Sequence, residues 1–153
     1  MIMRKATSLL ILFLYPVLLL GDSDISFKHI GTKEGLSCNL ITSIIKDSQG
    51  FMWFSSSWGV SKYDGYTIKN YDPNGTIAIP NLDNYVENIQ EDKRGNLWMK
   101  LRQNYTCFDP RSEKFYPTKD ILAPQYNIPI EPSLMYIDKS KNIWCNKDHF
   151  GTY

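Results

Sequence analysis

Three segments of the chain repeat one another at a nearly fixed interval, and this limits the possible folds more than any other feature. SIIKDSQGFMW, ending at Trp53, aligns with NIQEDKRGNLW, ending at Trp98, and with YIDKSKNIW, ending at Trp144. The alignment sets isoleucine 44 or 45 against Ile89, Asp47 against Asp92 and Asp138, Gly50 against Gly95, and Met52 against Leu97, with Lys141 where the glycine would stand. The spacing is 45 residues, then 46. Eleven residues after the first two tryptophans come Asp64, in KYD, and Asp109, in CFD. A period in the mid-forties belongs chiefly to helical repeats or to the four-stranded blades of a propeller.

The residues inside each unit decide between these options. Around Trp53 the chain is rich in Phe, Trp, Ile, Val, Tyr, Thr and Ser and is broken every few residues by Gly, Asp-Gly or Asp-Pro, with no Ala/Leu/Glu/Lys run at helical spacing. The reading is all-β: a partial β-propeller of about two complete four-stranded blades plus part of a third. Strands are expected at 42–46, 51–56, 60–63 and 67–71, then at 86–91, 97–101, 105–109 and 114–116, then at 134–138 and 143–146. The corresponding units are blade 1 at 41–79, blade 2 at 80–127 and an incomplete blade 3 at 128–153, after a lead-in at 22–40 whose Phe27–Ile30 reads as a strand. Asp47 and Gly50 form a turn in which the carboxylate accepts backbone N–H groups and the glycine takes positive φ. Asp64-Gly65 reads as a two-residue hairpin. Serines 55–57 suit a strand near the crowded axis or a loop bending back, where bulk would clash.

Stacked blades cover both faces of each sheet, so Trp53, Trp98 and Trp144 are assigned to packing between blades. The other recurrent positions, Asp47, Gly50, Tyr63, Asp64, Asp92, Gly95, Asp109 and Asp138, read as structural. EDKRG at 91–95 reads as a solvated turn.

Residues 1–21 form a separate segment. MIMRK is a basic start, and Ser8 to Leu20 is almost wholly apolar but contains Pro16. At about 13 residues it falls short of the roughly 20 that span a bilayer as a helix. A helical signal peptide is expected, with an uncleaved anchor as the alternative, and in both cases the body of the chain is exported to the periplasm or another extracytoplasmic space. Without that segment 15 basic face 16 acidic residues, which gives no electrostatic ground for a nucleic-acid partner.

Chemistry-bearing residues are sparse. Cys38, Cys107 and Cys145 are odd in number and have no metal-ligand spacing; they read as small apolar residues mostly buried in strands, with a Cys107 to Cys145 bridge left open. His29 and His149 lie far apart with no nucleophile arrangement. No catalytic, cofactor or metal site is assigned. The long link at 69–84 should run over an end face of the sheets, where ligands usually meet loops. Trp58, outside the repeated tryptophan slot, is the candidate for stacking on a sugar ring, with Asn84 and Tyr85 behind it.

Residues 36–72, LSCNLITSIIKDSQGFMWFSSSWGVSKYDGYTIKNYD, resemble the first repeat of the two-component regulator propeller family. Asp47, Gly50, Trp53, Gly59, Val60, Tyr63 and Asp64 fall on its pattern, and FKHIGTKEGLSCNLI resembles the segment before its first repeat. The second unit departs from the pattern at Lys100-Leu101 and Asn104, and the third keeps Trp144 and Gly151. The resemblance implies the periplasmic sensor region of a hybrid two-component system, often one sensing oligosaccharides, with a histidine kinase in later parts of such proteins and no enzyme activity in this region. Because a closed ring takes about 4 to 8 blades, the chain reads as the N-terminal fragment of a longer sensor. The alternatives are a fragment of a propeller-fold carbohydrate-active enzyme and a short protein that self-associates through its open blade edges as a homodimer.

Overall fold

A computed structural model describes residues 26–71, 84–102, 104–118, 125–126 and 134–146. The expected signal segment, His149, Gly151 and most of the link at 69–84 lie outside them. Among the described residues are ten strands in three antiparallel sheets. Blade 1 is β1 (Ile41–Lys46), β2 (Met52–Ser56), β3 (Gly59–Tyr63) and β4 (Ile68–Tyr71), and blade 2 is β5 (Val86–Glu91), β6 (Leu97–Leu101), β7 (Tyr105–Asp109) and β8 (Lys114–Pro117). Both are four-stranded meanders in sequence order, and β9 (Leu134–Ile137) pairs with β10 (Ile143–Asn146) in a third sheet. The all-β propeller reading holds, and the expected strands agree with these to within one residue at each end.

Register settles the isoleucine left open by the repeat. Ile44 pairs with Phe54 as Ile89 pairs with Met99, so Ile44 and Ile89 are equivalent. Ile45, Gln90 and Tyr136 then stand opposite Trp53, Trp98 and Trp144. Side chains alternate between the faces of a strand, so each blade presents one face to the blade before it and one to the blade after. Trp53, Val60 and Tyr71 of blade 1 form a core with Val86, Ile89, Leu97, Met99 and Phe108 of blade 2. Trp53 lies edge-on to Phe108, with centroids 5.7 Å apart. On the other side of blade 2, Trp98 and Cys107 pack with Met135, Ile137 and Cys145.

Polar bridges run across the same junctions. The Gln90 side-chain amide donates to the Ile137 carbonyl at 3.2 Å and accepts from its N–H at 3.3 Å, as a neighbouring strand would. The Tyr105 hydroxyl accepts from the Met135 N–H at 3.0 Å. Ser43 donates to Asn88 at 3.0 Å.

Several expectations are corrected. No strand forms at Phe27–Ile30, because the lead-in runs across a face of blade 1 instead of along an edge. It makes a 3-10 turn at Thr32–Glu34 and buries Leu36. Gly35, at φ 114°, accepts a hydrogen bond on its carbonyl from the Asn70 amide at 2.9 Å. The Ser37 hydroxyl lies 3.3 Å from both the Ser56 and Ser61 hydroxyls. Ser55 and Ser56 are buried as expected, and the serine-rich β2 also has a second use: Ser56 receives this covering segment. Asp64-Gly65 is not a two-residue hairpin but part of a four-residue loop. The two-residue turn is Ser57-Trp58, between β2 and β3. Cys38, Cys107 and Cys145 are all free thiols, with no bridge between Cys107 and Cys145. Burial pushes the Cys107 and Cys145 thiols up, whereas hydrogen bonds from Ser57 and the Leu40 N–H bring the Cys38 thiol down.

Candidate functional site

The recurrent aspartates have a definite task. Asp47 Oδ1 accepts the N–H groups of Gln49 and Phe51, both at 2.9 Å, while Oδ2 accepts the Trp53 indole N–H at 2.7 Å. Asp92 does the same with Arg94 at 2.8 Å, Asn96 at 3.0 Å and the Trp98 indole at 2.7 Å. Asp138 accepts from the Asn142 N–H and the Trp144 indole, both at 2.9 Å. One carboxylate thus closes the turn with one oxygen and fixes the tryptophan six residues on with the other. The Trp144 and Asn142 hydrogen bonds bring the Asp138 carboxyl down to about 2. Asp64 and Asp109 clasp the other turn of their blades, through Tyr66 and Thr67 N–H in one case and Arg111 and Ser112 in the other. Asp64 is likewise lowered to about 2, first by Thr67 and then by Tyr66.

The glycine slots behave as the repeat requires. Gly50 and Gly95 have φ of 94° and 79°, and Lys141, in the same slot of the third unit, takes a left-handed φ of 61°. That conformation is unfavourable for a side chain, and here it places the Lys141 ammonium on Glu91. Glu91 also accepts the Ser48 N–H at 3.0 Å, so this buried carboxylate joins the equivalent turns of all three blades. Burial alone would raise its pKa, but Lys141 and Ser48 outweigh that and lower it. The EDKRG segment is therefore not a solvated turn throughout. Lys93 and Arg94 at its tip are exposed, while Asp92 and the Glu91 carboxylate are buried beneath them.

Two clefts open between blades at this end. One, of about 300 Å³ between blades 2 and 3, is lined by Lys93, Arg94, Tyr126, Lys141 and Asn142. The Arg94 guanidinium lies 4.4 Å from the centre of the Tyr126 ring, and the Tyr126 hydroxyl donates to Asp92. Burial first, and then that aspartate, hold the Tyr126 phenol above its ordinary range. The other, of about 220 Å³ between blades 1 and 2, holds Lys62 3.7 Å above the Phe51 ring, with Lys69 paired to Glu113 at 2.6 Å. The acids and most of the cations at these clefts already have partners within the protein: Lys69 with Glu113, Lys141 with Glu91, Lys93 with Asn142, and Asp92 with Trp98 and Tyr126. Among the described residues no group of His, Cys, Asp and Glu could hold a metal ion. His29 lies in the lead-in, 3.6 Å from Glu34.

Trp58 sits at the opposite end of the sheets, in the β2–β3 turn, and is 67% exposed. The equivalent turn of blade 2 carries Arg102, stacked 5.0 Å from the Tyr85 ring centre. The structure therefore puts Trp58 and Tyr85 at one end of the blades and the two clefts at the other. Trp144 keeps the aspartate bond and is 48% exposed on the outer face of the third sheet, while Trp53 and Trp98, each followed by another sheet, are 0% and 2% exposed.

The blade pattern agrees with comparison to known proteins. Residues 35–58 match the two component regulator propeller family. That stretch holds the buried Leu36 of the lead-in and, from the repeat itself, the Asp47 turn and Trp53. The chain is also similar in structure to the extracellular domain described for the hybrid two component system BT3049 from B. thetaiotaomicron, at 21% identity and TM-score 0.57, covering 82% of this chain and 18% of that one. A second similar structure is the extracellular domain of BT4673 from the same organism, at 18% identity and TM-score 0.55, covering 80% of this chain and 18% of that one. At these identities the likeness shows the fold, and this chain spans about a fifth of the domains it matches. No curated protein matches the sequence.

Proposed function

We propose that the chain is part of an extracytoplasmic sensor propeller of a two-component regulatory system and that it recognises an oligosaccharide without catalysing a reaction. The match of residues 35–58 to the regulator propeller family carries this reading, and it is supported by the similarity to extracellular domains described for hybrid two component systems. The basic, apolar start of the sequence favours export and fits the same location. Trp58 provides an exposed aromatic face of the kind that stacks on a sugar ring, next to a blade end that carries a second aromatic, Tyr85.

The test is titration of the exported chain with malto-, xylo- and galacto-oligosaccharides, followed by tryptophan fluorescence and calorimetry. Binding of at least one series is expected, and Trp58→Ala should weaken it roughly two- to tenfold, the value of a stacking contact of about 0.5–1.5 kcal/mol. Binding unaffected by Trp58→Ala would move the ligand to another surface. Hydrolysis or elimination of any oligosaccharide would favour an enzyme instead.

A further inference from the structure

The cleft between blades 1 and 2 has a complete four-stranded blade on each side, and one row of side chains in its wall breaks the packing rule of the repeat. Lys62 on β3 stands directly opposite Trp53 on β2 and Lys69 on β4, so the row reads Trp53, Lys62, Lys69. The equivalent row of blade 2 reads Trp98, Cys107, Tyr116, with Cys107 fully buried and Tyr116 packed against the core around it. Blade 1 thus sets two lysines side by side where blade 2 sets apolar and aromatic side chains, and like charges directly opposite on paired strands are destabilising. An ion pair neutralises one of them. Lys69 meets Glu113 at 2.6 Å, and Glu113, which reaches over from blade 2 with a left-handed φ of 54°, also accepts the Tyr71 hydroxyl at 2.9 Å. The other acid of the cleft, Asp64, has its oxygens taken up by the Tyr66 and Thr67 N–H groups and the Thr67 hydroxyl. Lys62 has no carboxylate within ion-pair distance among the described residues; its neighbours are the Phe51 ring at 3.7 Å and the Trp53 ring at 5.6 Å. Its ammonium, with three N–H donors, is therefore the one charged group in the described lining that hydrogen-bonds to nothing there.

We propose that this cleft binds the oxyanion of an acidic sugar, a carboxylate or a sulfate that pairs with Lys62 while the sugar ring lies along Phe51 and the Lys69–Glu113 pair. The inference rests on the reading that the chain recognises oligosaccharides, and it adds a charge class and a second contact site at the end of the blades opposite Trp58. The cleft, of about 220 Å³, has room for a single ring. A lysine suits either oxyanion, because its ammonium acts as a point charge rather than as a planar fork. An incoming anion also relieves the repulsion between the two lysines, of which Glu113 pairs with only one.

The experiment is calorimetric titration of the exported chain with trigalacturonate, a sulfated galactose trisaccharide and neutral galactotriose, at low and at high salt. At low salt at least one acidic probe is expected to bind roughly tenfold more tightly than the neutral one, the value of one charge-assisted hydrogen bond. High salt should shrink that preference. Lys62→Met, which keeps an apolar stem over Phe51 and Trp53, should abolish it, and Lys62→Arg should retain it. Indole N–H signals of the nitrogen-labelled wild type locate the site without any variant: the acidic probe should shift the Trp53 signal, which the neutral probe leaves in place. A preference that survives in folded Lys62→Met, or that leaves the Trp53 signal unmoved, would overturn the proposal. Acidic probes that bind no more tightly than the neutral one would overturn it while leaving stacking on Trp58 intact. Silence of every oligosaccharide, neutral or acidic, would overturn both readings.

Discussion

Trp53→Ala is expected to lower the unfolding free energy by about 3–5 kcal/mol, the cost of removing a large aromatic from a close-packed core. Trp53 is fully buried and contacts Tyr71 within its own blade and Phe108 across the junction, each with ring centroids 5.7 Å apart. Its removal therefore opens a cavity between two sheets, which could close only if the sheets moved together against the other side chains packed at the junction. It also leaves Asp47 Oδ2 without the indole N–H that it accepts at 2.7 Å. Because a small domain has only about 5–15 kcal/mol of stability in total, urea unfolding should show a midpoint shifted far down or no cooperative transition. An unchanged midpoint would mean that Trp53 does not pack between blades.

Asp92→Ala should cost a comparable amount by a different route. The Asp92 carboxylate is buried and accepts from the Arg94 and Asn96 N–H groups on one oxygen and from the Trp98 indole and the Tyr126 hydroxyl on the other. Alanine leaves buried donors unsatisfied, at about 1–3 kcal/mol each where water cannot reach them, so a loss of about 3–5 kcal/mol is expected. Asp92→Asn separates the polar effect from the packing effect. An amide has an acceptor oxygen at only one end, so either the turn or the indole loses its acceptor, and about half of the alanine effect should remain. Urea unfolding of the three proteins, followed by fluorescence and by far-UV circular dichroism, gives the ranking wild type, Asn, Ala. Equal stability of all three would show that the carboxylate is not the tie between turn and tryptophan.

The extent to which the sequence revealed this structure depends on what each residue's partners were. The strands were legible because the turn residues between them are local: Asp47 with Gly50 and Asp92 with Gly95 set the strand ends within a few residues of themselves. The indole bond was present in the spacing, six residues from aspartate to tryptophan in all three units, but its meaning required knowing that the strand after the turn brings the indole back over the carboxylate. The roles of Glu91 and Lys141 were hidden for a different reason. Each is charged and lies in or beside a turn, which reads as solvent-facing, and only the stacking of three blades brings Ser48, Glu91 and Lys141 together. Ser37, Ser56 and Ser61 were equally opaque, since no local pattern says that a lead-in crosses a blade face rather than pairing with its edge. Trp58 was legible as a residue outside the repeat, and its exposure agrees with that reading. Its stacking role rests on the binding experiment.

The central claim is that Trp53 and Trp98 are locked between blades, each tied by its indole N–H to the aspartate six residues earlier. Hydrogen exchange at the four indole N–H groups, read by NMR on nitrogen-labelled protein, tests this most directly. Trp53 and Trp98 should exchange orders of magnitude more slowly than the exposed Trp58 under the same conditions. Exchange of Trp53 and Trp98 as fast as that of Trp58 would contradict the account.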